Sequence, residues 1–317
     1  MYNKEKRLRK DSSSIGFGLF FTVVLEIIVF LFVERFLIGR LCLNDQEELF
    51  RKVIDIFSYL LIPPFIFSLI LKIKGKSVKN VVNFNFKKEK LWVYIMVSFF
   101  VIELANVVTM MFVNMLKLIH IKSAMPNFNC GDTALSIFLS IISIAVVPAI
   151  AEEFVFRGAI LNILKPYGAK FAILASSLLF GLLHGNIEQF VFAFLTGLYF
   201  AYVAYKTESI VPSVIMHFLN NFSSLICSLF KSNKEISSIL EIFFLTIGII
   251  GFMVLFVVNI QKIFNFKFKI FKVFKRNKKQ IDIKFNDKLN ALFFNPGMTL
   301  FMIETFVMFF FSVERVY

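Results

Sequence analysis

The sequence predicts an all-α fold, a polytopic transmembrane helical bundle of about eight spans, and three observations carry that prediction. Of the 317 residues 58% are hydrophobic, 45 of them phenylalanines, and the mean hydropathy is +0.78. A soluble domain of this length lacks the interior to hide so much apolar side chain. Apolar runs of about 20 residues recur, the length that crosses a hydrocarbon core roughly 30 Å thick. Between them the charges are gathered into connecting segments.

The runs place spans at 15–37, 53–71, 91–116, 134–164, 170–185, 188–205, 210–230 and 237–261. A ninth apolar stretch at 298–313 is short and interrupted by Glu304, so a ninth span and an interfacial helix both remain open. With the N-terminus inside, inner segments hold 25 Lys and Arg and outer segments eight, which predicts a multi-pass cell-membrane protein in that orientation. The tail from Lys262 to Lys288 alternates lysines with phenylalanines and is expected on the anionic inner leaflet. The run Ile15–Val33 is long enough to span and lacks a small-residue cleavage site, so no cleavable signal peptide is expected.

These assignments divide the chain into an N-terminal membrane region (1–133), a core (134–230) and a last span with tail (231–317). Topology accounts for the net charge of +14, and no nucleic-acid partner is expected; the expected partner is the lipid bilayer. Cys42, Cys130 and Cys227 are scattered and odd in number, which implies neither a disulfide framework nor a CxxC metal site. No internal repeat is present, which argues against the inverted-repeat transporters.

Charges inside a bilayer are costly, so a buried cluster of them is a functional hypothesis. Three segments stand out. In Pro148-Ala-Ile-Ala-Glu152-Glu153-Phe-Val-Phe-Arg157-Gly158, Glu153 and Arg157 lie four apart and can pair on one helical face. Glu152, about 100° away, points elsewhere, and an unpaired carboxylate there can serve as a general base. Pro148 frees the carbonyl of Ile144, predicting a kink beside the site. In Phe180-Gly-Leu-Leu-His184-Gly185, Phe180 and His184 share a face, and Gly181 and Gly185 form a GxxxG surface. In Pro212-Ser-Val-Ile-Met-His217-Phe-Leu-Asn220-Asn221, His217 and Asn221 again share a face.

The depths agree. Glu152 is 13 residues from Lys165 and His184 is 14 from Lys170, so both sit roughly 20 Å from that surface. His217 is 11 residues from Lys206, or about 16 Å. Isolated packing residues would scatter in depth; these converge. His120 is expected to be solvated in a loop; Glu26 and Glu103 either line the cavity or, as the favoured expectation, are single polar residues satisfied by neighbouring helices.

Glu152-Glu153-xxx-Arg157, Phe180-xxx-His184 and His217-xxx-Asn221 resemble the three-motif signature of the CPBP family, the CAAX proteases and bacteriocin-processing or immunity proteins. The resemblance covers roughly residues 135–225, under a third of the chain, with no departure at a motif position. It implies an eight-span core with a cavity in the membrane, and an endopeptidase acting on a membrane-associated peptide or lipidated protein. Carried over, it implies that Glu152 activates a water and His184 helps to hold it. His217 and Asn221 would stabilise the oxyanion, and Glu153 and Arg157, with Phe180, would support the site.

Two arrangements stay open: one zinc ion on Glu152, His184 and His217, or a glutamate-activated water with no metal. Two other functions also stay open: a self-immunity or partner-binding protein without turnover, and a proton-coupled transporter. The abundance of Phe, Ile, Lys and Asn is that of an AT-rich bacterial genome.

Overall fold

In a hydrocarbon phase a backbone must satisfy its own hydrogen bonds, so long apolar runs fold as helices. The computed structural model describes residues 2–38, 47–81, 83, 91–123, 131, 133–264 and 283–315. Helix α1 (Tyr2–Phe32) continues into a π-wound stretch, Val33–Ile38. There follow α2 (Glu47–Ile73), the short α3 (Val78–Val81), α4 (Leu91–Leu118) and strand β1 (Ile121–Ser123). The composite helix α5 (Ala134–Tyr167) includes two π-wound stretches, Ile141–Val146 and Phe154–Ile160. Helices α6 (Ala169–Leu183), α7 (Ile187–Thr207), α8 (Val211–Leu229) and α9 (Lys234–Phe264) complete the central set. Last come α10 (Phe285–Phe293), α11 (Pro296–Ser312) and strand β2 (Val313–Arg315), which pairs antiparallel with β1.

Local chemistry sets the helix starts. Thr133 caps α5 by accepting from the Ser136 N–H (3.1 Å), and Asn295 caps α11 through the Met298 N–H (2.9 Å). Asn186 caps α7, accepting from the N–H groups of Glu188 and Gln189. Pro212 and Pro296 occupy first-turn positions, where the missing N–H costs nothing.

Each of the eight expected spans is a helix. Six are long and apolar enough to cross a bilayer: Asn3–Phe36, Glu47–Ile73, Leu91–Leu118, Ala134–Tyr167, Ile187–Thr207 and Lys234–Val257. The count reaches seven if α10 and α11, bent by 72°, form one span. Helix α6 is apolar but has only 15 residues, about 22 Å of helix. Helix α8 has 19 residues and turns Ser213, His217 and Asn220 inward. The segment following Gly297 packs along α1 and buries Met298 and Phe301 there.

One core joins the three sequence regions: Leu8, Ile15 and Leu19 of α1 pack with Phe67 and Leu71 of α2, Phe156 and Ile160 of α5, Leu179 of α6 and Phe301 of α11. Helix α4 packs on α7 and α9. Large apolar side chains face outward from α2 (Phe65), α4 (Met111, Met115), α9 (Phe243, Phe256) and α11 (Phe306, Phe310). Such a surface suits lipid and not water. At the end of the bundle formed by the C-terminus of α2, Asp11 accepts from Lys74 Nζ (2.7 Å) and Tyr167 Oη (2.6 Å), tying α1, α2 and α5 together.

The GxxxG expectation needs correction at one position. Gly181 does lie where α7 comes close, since a Cβ there would sit 2.9 Å from the Phe190 carbonyl. Gly185, however, has left the helix: its φ of +59° makes it a left-handed residue after the end of α6, facing Met308 of α11. Cys42, Cys130, Met125-Pro126 and most of the Lys262–Lys288 tail lie outside the described residues.

Candidate active site

The site is built where α5, α6 and α8 meet, and its framework is one ion pair. Glu153 and Arg157, one turn apart on α5, are fully buried and bond at 2.8 Å through Oε1 and Nη1. Arg157 also donates from Nη2 to the Gly197 carbonyl (3.2 Å). Gly197 is required there: a Cβ would lie 3.0 Å from Phe180 and 3.1 Å from that guanidinium. The guanidinium stacks 4.3 Å over the Phe180 ring, a cation–π contact that desolvation strengthens.

The same Glu153 Oε1 accepts from Nδ1 of His217, at 2.9 Å across from α8. A carboxylate only accepts, so Nδ1 carries a hydrogen and Nε2 is left for other partners. Nε2 faces Glu152 Oε2 at 3.8 Å. His184, the residue that ends α6, has its Nδ1 at 2.9 Å from the Phe180 carbonyl, which likewise fixes Nδ1–H and leaves Nε2 available. Phe180 holds the two imidazoles, edge to face with His184 at 5.0 Å and with His217 at 5.8 Å.

Glu152 faces away from the ion pair, as the 100° step requires. Its Oε1 accepts a 2.6 Å hydrogen bond from Tyr59 Oη of α2, while its buried Oε2 has no hydrogen-bond partner. The residue is 8% exposed and borders two cavities, of about 260 and 410 Å³. An unpartnered carboxylate oxygen beside an imidazole nitrogen and a cavity can take a proton from a water.

Beside Pro148 the helix is π-wound over Ile141–Val146. Pro148 cannot donate to Ile144, and Asn221 Nδ2 takes that carbonyl at 3.1 Å, locking α8 onto α5. Asn221 Oδ1 accepts from Asn220 Nδ2 (3.0 Å), so one Nδ2 hydrogen of Asn221 remains. Along the π-wound stretch after Glu153, Ser176 Oγ donates to the Phe156 carbonyl, which also accepts from the Leu161 N–H, and Asn162 Nδ2 donates to the Gly158 carbonyl, each side-chain bond at 2.8 Å.

Of the residues expected at the site, Glu153, Arg157, Phe180, His184 and His217 are linked by contacts, Glu152 faces His217, and Asn221 sits one turn beyond. Among the described residues no three His, Cys, Asp or Glu side chains converge closely enough to hold a metal ion. Glu152, His184 and His217 therefore do not fit a three-ligand zinc site in this arrangement, and no step below is routed through one. His120 is exposed in the turn after α4. Of the two expectations for Glu26 the structure takes the first: it lines both cavities, and its buried Oε1 lacks a hydrogen-bond partner. Tyr59 and Gly197 were missed. The Pro63-Pro64 pair in α2 is the signal for Tyr59, since Pro63 frees the Tyr59 carbonyl and marks that turn as irregular.

Residues 134–223 match the family model described as Type II CAAX prenyl endopeptidase Rce1-like. This segment contains every motif residue described above, and the match supports a CAAX/CPBP-family intramembrane protease with endopeptidase function. No curated protein and no solved structure matches the chain.

Proposed function

We propose that the chain is an intramembrane endopeptidase in which Glu152 activates water to hydrolyse a peptide bond of a membrane-associated substrate. The observation that carries this reading is the state of Glu152: buried, anchored at Oε1 by Tyr59, and open at Oε2 toward His217 Nε2 at 3.8 Å. A water between these atoms gives a proton to Glu152 as its oxygen attacks the substrate carbonyl carbon. The tetrahedral intermediate then collapses, the C–N bond breaks, and Glu152 returns the proton to the leaving amine nitrogen.

The other groups take supporting parts in this scheme. His184, with Nε2 available, holds the water. The remaining Nδ2 hydrogen of Asn221 donates to the developing oxyanion in this scheme, and His217 does so only as an imidazolium, with a hydrogen on Nε2 as well as on Nδ1. Glu153 and Arg157 fix the His217 ring. Burial strengthens each of these interactions.

Membrane peptides from cells co-expressing the chain and its Glu152→Gln variant provide the test. The reading predicts peptides shortened only where Glu152 is intact. Identical peptide sets, with any immunity phenotype unchanged by the substitution, would leave a binding protein as the better description.

A further inference from the structure

The two cavities at Glu152 differ in chemistry. The inner one, about 260 Å³, is walled by Leu19, Val23, Pro63, Phe67, Phe156 and Met308 among others, and is mostly apolar. The outer one, about 410 Å³, opens at the end of the bundle where α1 finishes and α2 and α5 begin. Its walls hold three carboxylates, Glu26, Asp55 and Glu152, with Ser58, Tyr59 and Ser143, and among the described residues no cationic side chain lines it. The nearest arginine along α2, Arg51, is paired with Glu34 and Glu47 and also acts on the exposed Asp55 one turn away, so Glu26 and Glu152 are the carboxylates with no cation beside them in the cavity wall. Lys52 is likewise committed, to Glu48 at 2.9 Å.

Carboxylates held out of water without a counter-charge are costly, and here two buried oxygens, Glu26 Oε1 and Glu152 Oε2, have no hydrogen-bond partner. A low-dielectric cleft lined by one sign of charge attracts the opposite sign. A bare metal ion is not the fitting occupant, because no three ligands converge among the described residues. A cation carried on a flexible side chain needs no such convergence.

Four residues, Glu26, Ile27, Tyr59 and Glu152, line both cavities, so the two adjoin at the catalytic carboxylate. In an extended peptide, consecutive side chains point to opposite faces. A peptide with one side chain in each cavity would carry the bond between them past Glu152. Neither volume exceeds the lower part of the range for small-ligand pockets, roughly 300–1,000 Å³, so each suits one or two side chains and not a whole chain segment.

We propose that the preferred substrate is a peptide with a basic residue beside a large apolar one, the basic side chain in the Glu26–Asp55 cavity and the apolar one in the inner pocket. This rests on the peptidase reading above and adds the substrate class. Glu26 and Asp55 act as specificity residues, and Met308 closes the apolar end.

The test is a library of membrane-anchored peptides randomised at two consecutive positions, cleaved by the full chain in proteoliposomes. The expected result is a kcat/KM for Lys or Arg beside Leu or Phe ~10-fold or more above that for Gln in the basic position. The preference should collapse toward one in Asp55→Asn and in Glu26→Gln, and turn toward Glu-containing peptides in Glu26→Lys, a reversal that loss of folding does not produce. Cleavage without charge preference, still abolished by Glu152→Gln, overturns this inference and leaves the peptidase reading standing. Cleavage of no library peptide overturns both.

Discussion

The wall of the cavity formed by α5, α6 and α8 and the wall formed by α1 and α2 treat charge in opposite ways. On the first, Glu153 is balanced by Arg157 and bonded by His217, with Phe180 packed over the guanidinium. On the second, Glu26 and Asp55 face the cavity with no cation among its described lining residues, and Tyr59 donates a hydrogen bond to Glu152. The first wall is the segment that matches the family model; the second lies outside it. In the proposed scheme the chemistry sits on the wall whose other charges are paired and rigid, and substrate choice on the wall whose carboxylates are left for a ligand to pair.

The comparison breaks most visibly at Arg157. Arg157→Met leaves Glu153 buried without its cation, which should cost about 3–5 kcal/mol of stability. The double variant Glu153→Gln/Arg157→Met should recover part of that loss. Thermal unfolding in detergent measures both, and a single-variant cost below about 1 kcal/mol would mean the ion pair does not hold the first wall together.

Tyr59→Phe sharpens the comparison by cutting the link between the walls. A hydrogen bond to a charged group contributes about 1.5–3 kcal/mol, so turnover should fall roughly 10- to 100-fold with the melting temperature little changed. Steady-state kinetics on a library peptide tests this; unchanged turnover would remove Tyr59 from the site. The smallest effect belongs to His120, exposed and lining neither cavity: His120→Ala should alter stability by less than about 0.5 kcal/mol and leave the rate alone.

The contrast also explains what could be read from the chain. The helices were legible because apolar runs and charged junctions are local signals, and so was the Glu153–Arg157 pair, which follows from four-residue spacing alone. Pro148 announced a free carbonyl at Ile144 but not that Asn221 would take it. Tyr59 was not legible as a site residue, and Glu26 only as one of two intramembrane carboxylates that could line a cavity, because they reach Glu152 across helices far apart in sequence and only packing brings them there. Gly185 looked helical by spacing, yet α6 ends at Leu183, Gly185 takes a positive φ, and it faces Met308 of the C-terminal helix, a contact no local spacing announces. Short apolar helices such as α6 show the limit of length as a guide to spans.

The central claim is that Glu152 is the base that activates water, and purified chain in proteoliposomes tests it most directly. Single-turnover cleavage is compared between the native chain and Glu152→Gln, with unfolding curves matched to show that both are folded. The account predicts a loss of about 100-fold or more. Rates within a few-fold of each other, on two equally folded proteins, would contradict it.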